Sequence, residues 1–303
     1  MIQITQQDIL AHQAVVPWPN PQQVEQDLLL CHSMVALFTD EFLKSQVAMR
    51  GGTLLHKVHL APPSRYSGDI DLVVIGDRPE NHIHKAIRRV LLDVLGKPNA
   101  SLWDSVKLGV RNTVKPSRVL RMTYRVPSIS MSGRTLDITV EANVTERRPH
   151  RPIENAPLVF PYRGSQIQVA VNGFDIHEML GTKMRALFQR KRGRDLFDLY
   201  WALAKSGQNN IRPPAIIDSF LHYMHQEGTV ARRSEFIAIL DGHLKDNGFC
   251  TDMNSLLRSD ISYDPHEAGT YVIKHLLGLL PDVGEDHTSD KRKSKTNIKP
   301  GKS

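Results

Sequence analysis

Two aspartates separated by one residue are the first groups in this sequence that could carry out chemistry. They lie in Asp69-Ile70-Asp71-Leu72-Val73-Val74-Ile75, where apolar residues alternate with the acids. Side chains alternate between the two faces of a strand, so both carboxylates share one face of a predicted strand. Adjacent like charges repel, and a divalent cation resolves that conflict. Paired carboxylates suit Mg²⁺, which completes its coordination with water and substrate phosphates.

A glycine turn precedes the aspartates by fifteen residues: Gly51-Gly52-Thr53. Residues without side chains let backbone N–H groups approach phosphate oxygens, and Thr53 adds a hydroxyl. Each signal alone is weak, because Asp-x-Asp is common by chance and Gly-Gly usually marks only a turn. In this order and at this separation, the two segments predict a site for a metal ion and a triphosphate.

A lysine is predicted in the middle of an apolar helix stripe. The helix opens at Asp175 and runs to Gly193, and Lys183 projects from its apolar side. Such a lysine either extends its ammonium to solvent or meets an anion, and helix geometry alone favours neither. A tight turn then leads into a second helix, which would let Asp195 reach Lys183 and orient it for a phosphate; Asp198 is predicted to lie well outside that helix's apolar stripe.

The elements that must position these groups follow from hydrophobic periodicity. A helix is predicted to begin near Gln22, followed by a short strand at Val47-Ala48-Met49 that leads into the glycine turn. After the Asp-x-Asp strand come an amphipathic helix closed by Gly96 and an antiparallel hairpin with strands at residues 120–126 and 136–141. The sequence therefore predicts an α+β fold with a mixed or antiparallel sheet flanked by helices.

The second strand of that hairpin offers two further carboxylates. Asp137 and Glu141 share its polar face, and either could join Asp69 and Asp71 as a third metal ligand. A solvated polar face explains both residues equally well.

Prolines at 149, 152, 157 and 161 predict a linker, beyond which helices dominate. We therefore expect a first domain over residues 1–160, a helical domain carrying the Lys183 and Arg194-Asp195 motifs over 161–282, and a disordered basic tail over 283–303.

Composition is that of an ordinary globular protein with a basic balance. The 303 residues include 40% hydrophobic and 23% charged, with a net charge of +7 that favours a polyanionic partner. Part of this excess lies in the tail, where a basic run is more often a solvated end.

Cys31 and Cys250 form no motif of a disulfide framework or a zinc site. With no leader or spanning segment recognised, a cytoplasmic location is expected.

Two motifs carry a family resemblance. Arg50-Gly51-Gly52-Thr53 with Arg65-Tyr66-Ser67-Gly68-Asp69-Ile70-Asp71-Leu72 resembles the first signature of the AbiEii/AbiGii toxin family, a branch of the polymerase-β-like nucleotidyltransferase superfamily. The segment from Leu180 to Leu187, followed by Arg190 and Arg194-Asp195-Leu196-Phe197-Asp198-Leu199, resembles its second signature. The resemblance spans roughly residues 22 to 205.

The resemblance implies roles for individual residues. Asp69 and Asp71 would hold Mg²⁺ or Mn²⁺, and Gly51, Gly52, Thr53, Lys183 and Arg194 would contact the phosphates of a nucleoside triphosphate. Asp195 would support the lysine or the acceptor. Glu141-Ala142-Asn143 resembles a Glu-x-Asn segment of this branch, whereas Asp137 lies where a general nucleotidyltransferase could place its base.

The implied activity is transfer of a nucleoside monophosphate from a nucleoside triphosphate to an acceptor hydroxyl. Relatives are toxins of toxin–antitoxin or phage-defence systems, some of which modify the 3′ end of tRNA, so a tRNA acceptor and an antitoxin encoded nearby are expected. A protein acceptor, through self-nucleotidylation or AMPylation-type transfer, fits the same residues. A non-catalytic nucleic-acid-binding regulator is the alternative from another class, and the basic balance argues against a cationic small-molecule acceptor.

Overall fold

The computed structural model describes residues 2–96, 108–112, 118–207 and 210–282; the predicted basic tail lies outside them. Within these residues, seven strands form one sheet in the order β3-β4-β5-β2-β1-β7-β6. The strands are β1 (Val47–Arg50), β2 (Asp69–Val74), β3 (Leu108–Asn112), β4 (Arg118–Pro127), β5 (Thr135–Asn143), β6 (Glu154–Tyr162) and β7 (Ser165–Gly173). The sheet is mixed, because β2 runs parallel to β5 and antiparallel to β1. The predicted α+β class is confirmed.

Helices cover the sheet and form the C-terminal part of the chain. The described residues contain α1 (Gln6–Gln13), α2 (Pro21–Thr39), α3 (Glu41–Gln46), α4 (Gly51–Leu54), α5 (Glu80–Leu95), α6 (Ile176–Gln189), α7 (Gly193–Tyr200), α8 (Pro213–Gln226), α9 (Arg233–Leu244), α10 (Asn247–Thr251) and α11 (Pro265–His275). π-helical turns at Leu55–His59 and Trp201–Lys205 extend α4 and α7.

Local sequence explains the helix that begins near Gln22. Asn20 caps α2 by accepting a hydrogen bond from the Gln22 backbone, and the Gln23 side chain reaches back to the Asn20 backbone. Pro21 occupies the first helical position, where no backbone donor is needed. The apolar stripe that begins at Val24 is buried in the core, as the helical spacing predicts.

The predicted hairpin is also present. β4 and β5 pair antiparallel, with Arg121 opposite Glu141 and Arg125 opposite Asp137. The alternation of buried and accessible residues along β5 follows the sequence pattern, so the sheet turns Ile138 and Val140 into the core.

The predicted proline-rich linker is wrong. Residues 154–162 form β6 and residues 165–173 form β7, so the boundary placed at residue 160 falls inside a strand. β6 is the last strand in the described order of the sheet, and such an edge strand tolerates Pro157 and Pro161 because it needs fewer backbone donors. Leu158 and Phe160 are buried, which is the alternation that the prolines obscured.

Close helix packing holds the lysine helix in place. A side chain on Gly181 of α6 would collide with Ser219 and the backbone of Phe220 on α8, so the two helices approach here without an intervening side chain.

None of the helices in the described ranges has the length and apolar character needed to cross a membrane.

Candidate active site

The two aspartates of β2 lie in a row of charged residues that crosses four strands. Asp71 is opposite Arg50 on β1 and opposite Glu141 on the parallel strand β5. Glu141 in turn is opposite Arg121 on β4 and forms a close ion pair with it. Alternation along β2 places Asp69 on the same face as Asp71. Three carboxylates and two arginines therefore meet on one face of the sheet.

Crowding of these carboxylates shows in their pKa values. Burial raises the pKa of Asp71 to about 6; Arg50 opposes the shift, and Asp69 and Glu141 add to it. Burial and the charge of Glu141 also raise the pKa of Asp69, against the opposing influence of Arg121 and Arg194. The arginines therefore leave the carboxylates incompletely neutralised, and three hard oxygen donors on one face fit a divalent cation such as Mg²⁺.

The structure separates the two candidates for a third carboxylate. Glu141 lies at the level of Asp71. Asp137 instead receives two hydrogen bonds from Arg125, at 2.7 and 3.0 Å, two residues before Thr139, the partner of Asp69. The geometry thus brings Glu141, rather than Asp137, beside the Asp-x-Asp pair.

The glycine turn packs directly against β2. Gly51 has φ of +83°, and a side chain there would collide with the carboxylate of Asp71. The Thr53 hydroxyl is buried and donates to the Asp69 carbonyl at 2.5 Å, so it ties the turn to the strand. Gly51, the first residue of α4, is therefore the part of the turn that lies against the Asp71 carboxylate, whereas a side chain on Gly52 would meet Arg65 and Ser67.

Lys183 is buried and held by two aspartates. Its ammonium lies 3.5 Å from Asp195, the contact expected from the helix turn, and 2.8 Å from Asp198. Asp195 also receives two hydrogen bonds from Arg190, at 2.8 and 3.0 Å. The lysine head is therefore fixed within a network of ion pairs, and it does not extend freely to solvent.

The prediction that Asp198 lies well outside the apolar stripe is wrong, and the sequence analysis assigned no individual role to Arg65 or His56. Asp198 is completely buried and receives hydrogen bonds from Arg65 at 2.6 and 2.8 Å and from His56 at 2.8 Å. Burial alone would raise the pKa of Asp198, but Arg65, Lys183 and His56 hold it well below the usual value. Burial, followed by Arg65, lowers the pKa of His56 to about 4, so this imidazole is neutral at pH 7.

One signal could have identified part of this network. Asp195 and Asp198 are three residues apart, so they share one helix face, and an aspartate next to a buried partner is itself a candidate for burial. Arg65 stands within the first motif, but its contact with Asp198 spans 133 residues and has no local pattern.

The two motifs meet electrostatically as well as by contact. Burial raises the pKa of both Asp71 and Asp69. The charge of Lys183 opposes the increase at Asp71, and the charge of Arg194 opposes it at Asp69. Arg194 also lies 3.6 Å from Asp252. Arg65 of the first motif and Lys183 of the second both pair with the Asp198 carboxylate, so the two motifs are in direct contact there.

A second cluster of possible metal ligands, His12, Asp27 and Cys31, lies elsewhere among the described residues. The Lys57 ammonium is 2.5 Å from Asp27 and already supplies its counter-charge, and burial raises the pKa of Cys31 to about 12, which keeps it a thiol. This cluster therefore joins α2 to the π-helical turn after α4, and its chemistry does not favour a metal.

Comparison with known proteins supports a shared fold. No curated protein matches the sequence significantly. Among solved structures, MenT4, a nucleotidyltransferase toxin from Mycobacterium tuberculosis H37Rv, matches with a TM-score of 0.61 and 16% identity over 92% of this chain and 91% of that chain. JHP933 from Helicobacter pylori matches with a TM-score of 0.47 and 14% identity over 84% and 90%.

The family match covers both motifs. The model described as "Nucleotidyl transferase AbiEii toxin, Type IV TA system" matches residues 33–270. That span contains the glycine turn, the Asp-x-Asp strand and both helices of the lysine network. The chain therefore belongs to the AbiEii family of nucleotidyltransferase toxins of type IV toxin–antitoxin systems.

Proposed function

We propose that this toxin transfers a nucleoside monophosphate from a nucleoside triphosphate to the 3′ end of tRNA, with Mg²⁺ as the metal. The observation that carries the proposal is the convergence of Asp69, Asp71 and Glu141 with the buried Lys183, whose charge acts on Asp71. Carboxylates that need a cation and a lysine whose ammonium two aspartates hold in position are the two halves of a metal–triphosphate site.

The side chains of the sheet would hold the metal. Asp69, Asp71 and Glu141 supply oxygen ligands, and Mn²⁺ would suit the same donors. A bound ion would supply positive charge that offsets the charge developing on the phosphate during transfer. Ionised Asp71 is the form required, and its raised pKa of about 6 leaves it ionised at neutral pH.

The remaining groups bind and orient the triphosphate. Gly51 and Gly52 bring backbone N–H groups to the start of α4, where the helix dipole favours an anion. Lys183 of α6 and Arg194 of α7 add positive charge. Asp195 and Asp198 hold the Lys183 ammonium in one position, which lowers the cost of ordering it when the phosphates bind.

The net charge of +7 supports an RNA acceptor, and the family supports an antitoxin partner. A protein acceptor fits the same side chains, so the experiment must distinguish the two. Purified protein is incubated with each α-³²P-labelled nucleoside triphosphate and total cell RNA, with and without Mg²⁺. We expect Mg²⁺-dependent label in tRNA; label in protein alone would favour self-nucleotidylation, and retention without transfer would favour a binding protein.

Variants of the proposed site residues test whether transfer of the labelled nucleotide depends on these side chains. Asp69→Asn and Lys183→Met should each reduce transfer by at least about a hundredfold, because each removes charge stabilisation that the transition state requires. The exposed Asp93→Asn and Lys85→Met, both on α5, are matched controls that should transfer normally. Full transfer by Asp69→Asn would overturn the proposed function.

A further inference from the structure

A cavity of about 360 Å³ lies between the first two turns of α2, the end of β4 and the start of β5. Its volume is within the range typical of small-molecule sites, roughly 300–1,000 Å³. The residues that matter for its chemistry are Gln22, Gln23, Gln26, Arg125, Thr135 and Asp137. Neither the proposed metal ligands nor the lysine network contributes to it.

The register between β2 and β5 relates the position of this cavity to that of Asp69 and Asp71. β2 begins at Asp69, opposite Thr139, whereas β5 begins at Thr135, so the first residues of β5 extend beyond the start of β2. Beside these first residues of β5, the side-chain N–H of Gln26 donates to the backbone carbonyl of Asp137 at 2.7 Å. Asp137 lies two residues from Thr139 on the same face, which is about 7 Å along the strand. The Asp137 side chain, which forms one wall of the cavity, therefore lies on the sheet face that carries Asp69 and Asp71.

The walls of the cavity are polar but almost neutral. Arg125 and Asp137 form a two-bond ion pair, with exposed fractions of 41% and 44%, which presents a flat surface with little net charge. Three glutamine amides complete the wall. Gln23 is bonded to the backbones of Asn20 and Ser255, and Gln26 donates one N–H to the Asp137 carbonyl, so the amide of Gln22 and the second N–H and carbonyl of Gln26 are the groups offered to a ligand. A phosphate would require unpaired cations, and an apolar ligand would require an apolar wall.

A planar, uncharged, hydrogen-bonding ring fits this surface. Nucleobases stack on guanidinium planes and form hydrogen bonds with amides along their edges. Asp137, which the sequence suggested as a metal ligand or base, would then act through its pairing with Arg125.

We propose that this cavity is a nucleobase subsite of the enzyme, an inference that rests on the proposed nucleotidyl transfer. The base belongs either to the donor triphosphate or to the terminal nucleotide of the acceptor strand. Arg125 and Asp137 supply the stacking surface, and the amides of Gln22 and Gln26 bind the edge of the ring. The subsite determines which base is accepted, while the carboxylates of β2 act on the phosphate.

The first test measures equilibrium binding of the four nucleoside 5′-monophosphates without Mg²⁺, by calorimetry or ligand-detected NMR. The variants are Gln22→Ala and the charge-balanced Arg125→Ala/Asp137→Ala. Arg89→Ala/Asp40→Asn removes another surface ion pair and keeps a capping residue at position 40, so it serves as the matched control. Circular dichroism verifies that each variant is folded. Removal of the surface on which the base stacks should weaken binding of the preferred monophosphate by about tenfold.

The second test separates the two sources of the base. If the cavity holds the donor base, the subsite variants raise KM for the preferred triphosphate and reduce the preference among the four, with KM for RNA unchanged. If it holds the acceptor base, the pattern reverses. Monophosphate binding and both KM values within twofold of the unmodified protein would overturn the subsite. Failure of all transfer, with binding still lost in the variants, would instead overturn the proposed function and leave a nucleotide-binding cavity.

Discussion

The ammonium of Lys183 lies 2.8 Å from the carboxylate of Asp198, in a position where neither group reaches bulk solvent freely. Arg65, from the segment that leads into the Asp-x-Asp strand, binds the same carboxylate through two hydrogen bonds. Asp198 therefore connects the segment before the Asp-x-Asp strand to the lysine helix. A buried charge shared in this way is costly to expose and costly to leave unpaired.

Replacement of Arg65 should measure that connection. Arg65→Met leaves Asp198 buried with one charge partner fewer, and we expect the free energy of unfolding to fall by about 3 kcal/mol in urea titrations. Arg125→Met is the matched control, because it breaks an equally well-formed two-bond pair that is largely exposed, and its stability should be unchanged within error. Equal losses in both variants would show that burial does not strengthen the Arg65 contact.

Glu141 and Asp137 should differ in their effect on the metal requirement. Glu141→Gln removes a carboxylate opposite Asp71, so the Mg²⁺ concentration for half-maximal transfer should rise by about tenfold. Asp137→Asn lies outside the ligand group and should leave that concentration unchanged. Metal titrations of labelled transfer provide the measurement, and the reverse order of effects would assign the third ligand to Asp137.

Stability should depend on pH through Asp71. Its pKa of about 6 in the folded protein exceeds the ordinary value of 3.8, so the folded state retains a proton that the unfolded chain releases. The stability contributed by this proton is complete below about pH 4 and is lost as the pH rises towards 6. Asp71→Asn mimics the protonated form. It should match the unmodified protein near pH 4 and exceed its stability at pH 7.5 by roughly 2–3 kcal/mol.

Mg²⁺ provides the control for the Asp71 prediction. The ion should stabilise the unmodified protein at pH 7.5 more than it stabilises Asp71→Asn, because the variant keeps only two of the three proposed carboxylate ligands. Thermal unfolding at both pH values, with and without the metal, tests both statements. A variant less stable than the unmodified protein at pH 7.5 would contradict the direction of the pKa shift.

Gly51 should be intolerant of a side chain for a reason specific to the site. Gly51→Ala places a methyl group against the carboxylate of Asp71, so we expect transfer to be lost together with metal binding. Gly133 has φ of +73° with no atom within 4 Å of an added side chain, so Gly133→Ala carries the backbone strain alone. The control should lose about 1 kcal/mol of stability and retain activity. Kinetic and denaturation measurements on both variants separate strain from displacement of the carboxylate.

The amino-acid sequence determined the local pieces of this protein. Alternation placed Asp69 and Asp71 on one face of a strand, the cap and stripe located α2, and helix spacing placed Lys183 on an apolar face within reach of Asp195. Each of these depends on residues that are neighbours along the chain, where the periods of strand and helix apply directly. The two motifs also indicated the family, which the match over residues 33–270 confirms.

Only the tertiary structure decided which distant groups meet. The parallel pairing of β2 with β5 brought Glu141 beside Asp71 and left Asp137 with Arg125, although both acids share one strand face. The tertiary fold also made residues 154–162 an edge strand, and it buried Asp198 in contact with Arg65. Register between strands and pairing of buried charges depend on contacts between residues far apart in the chain, which no local period encodes.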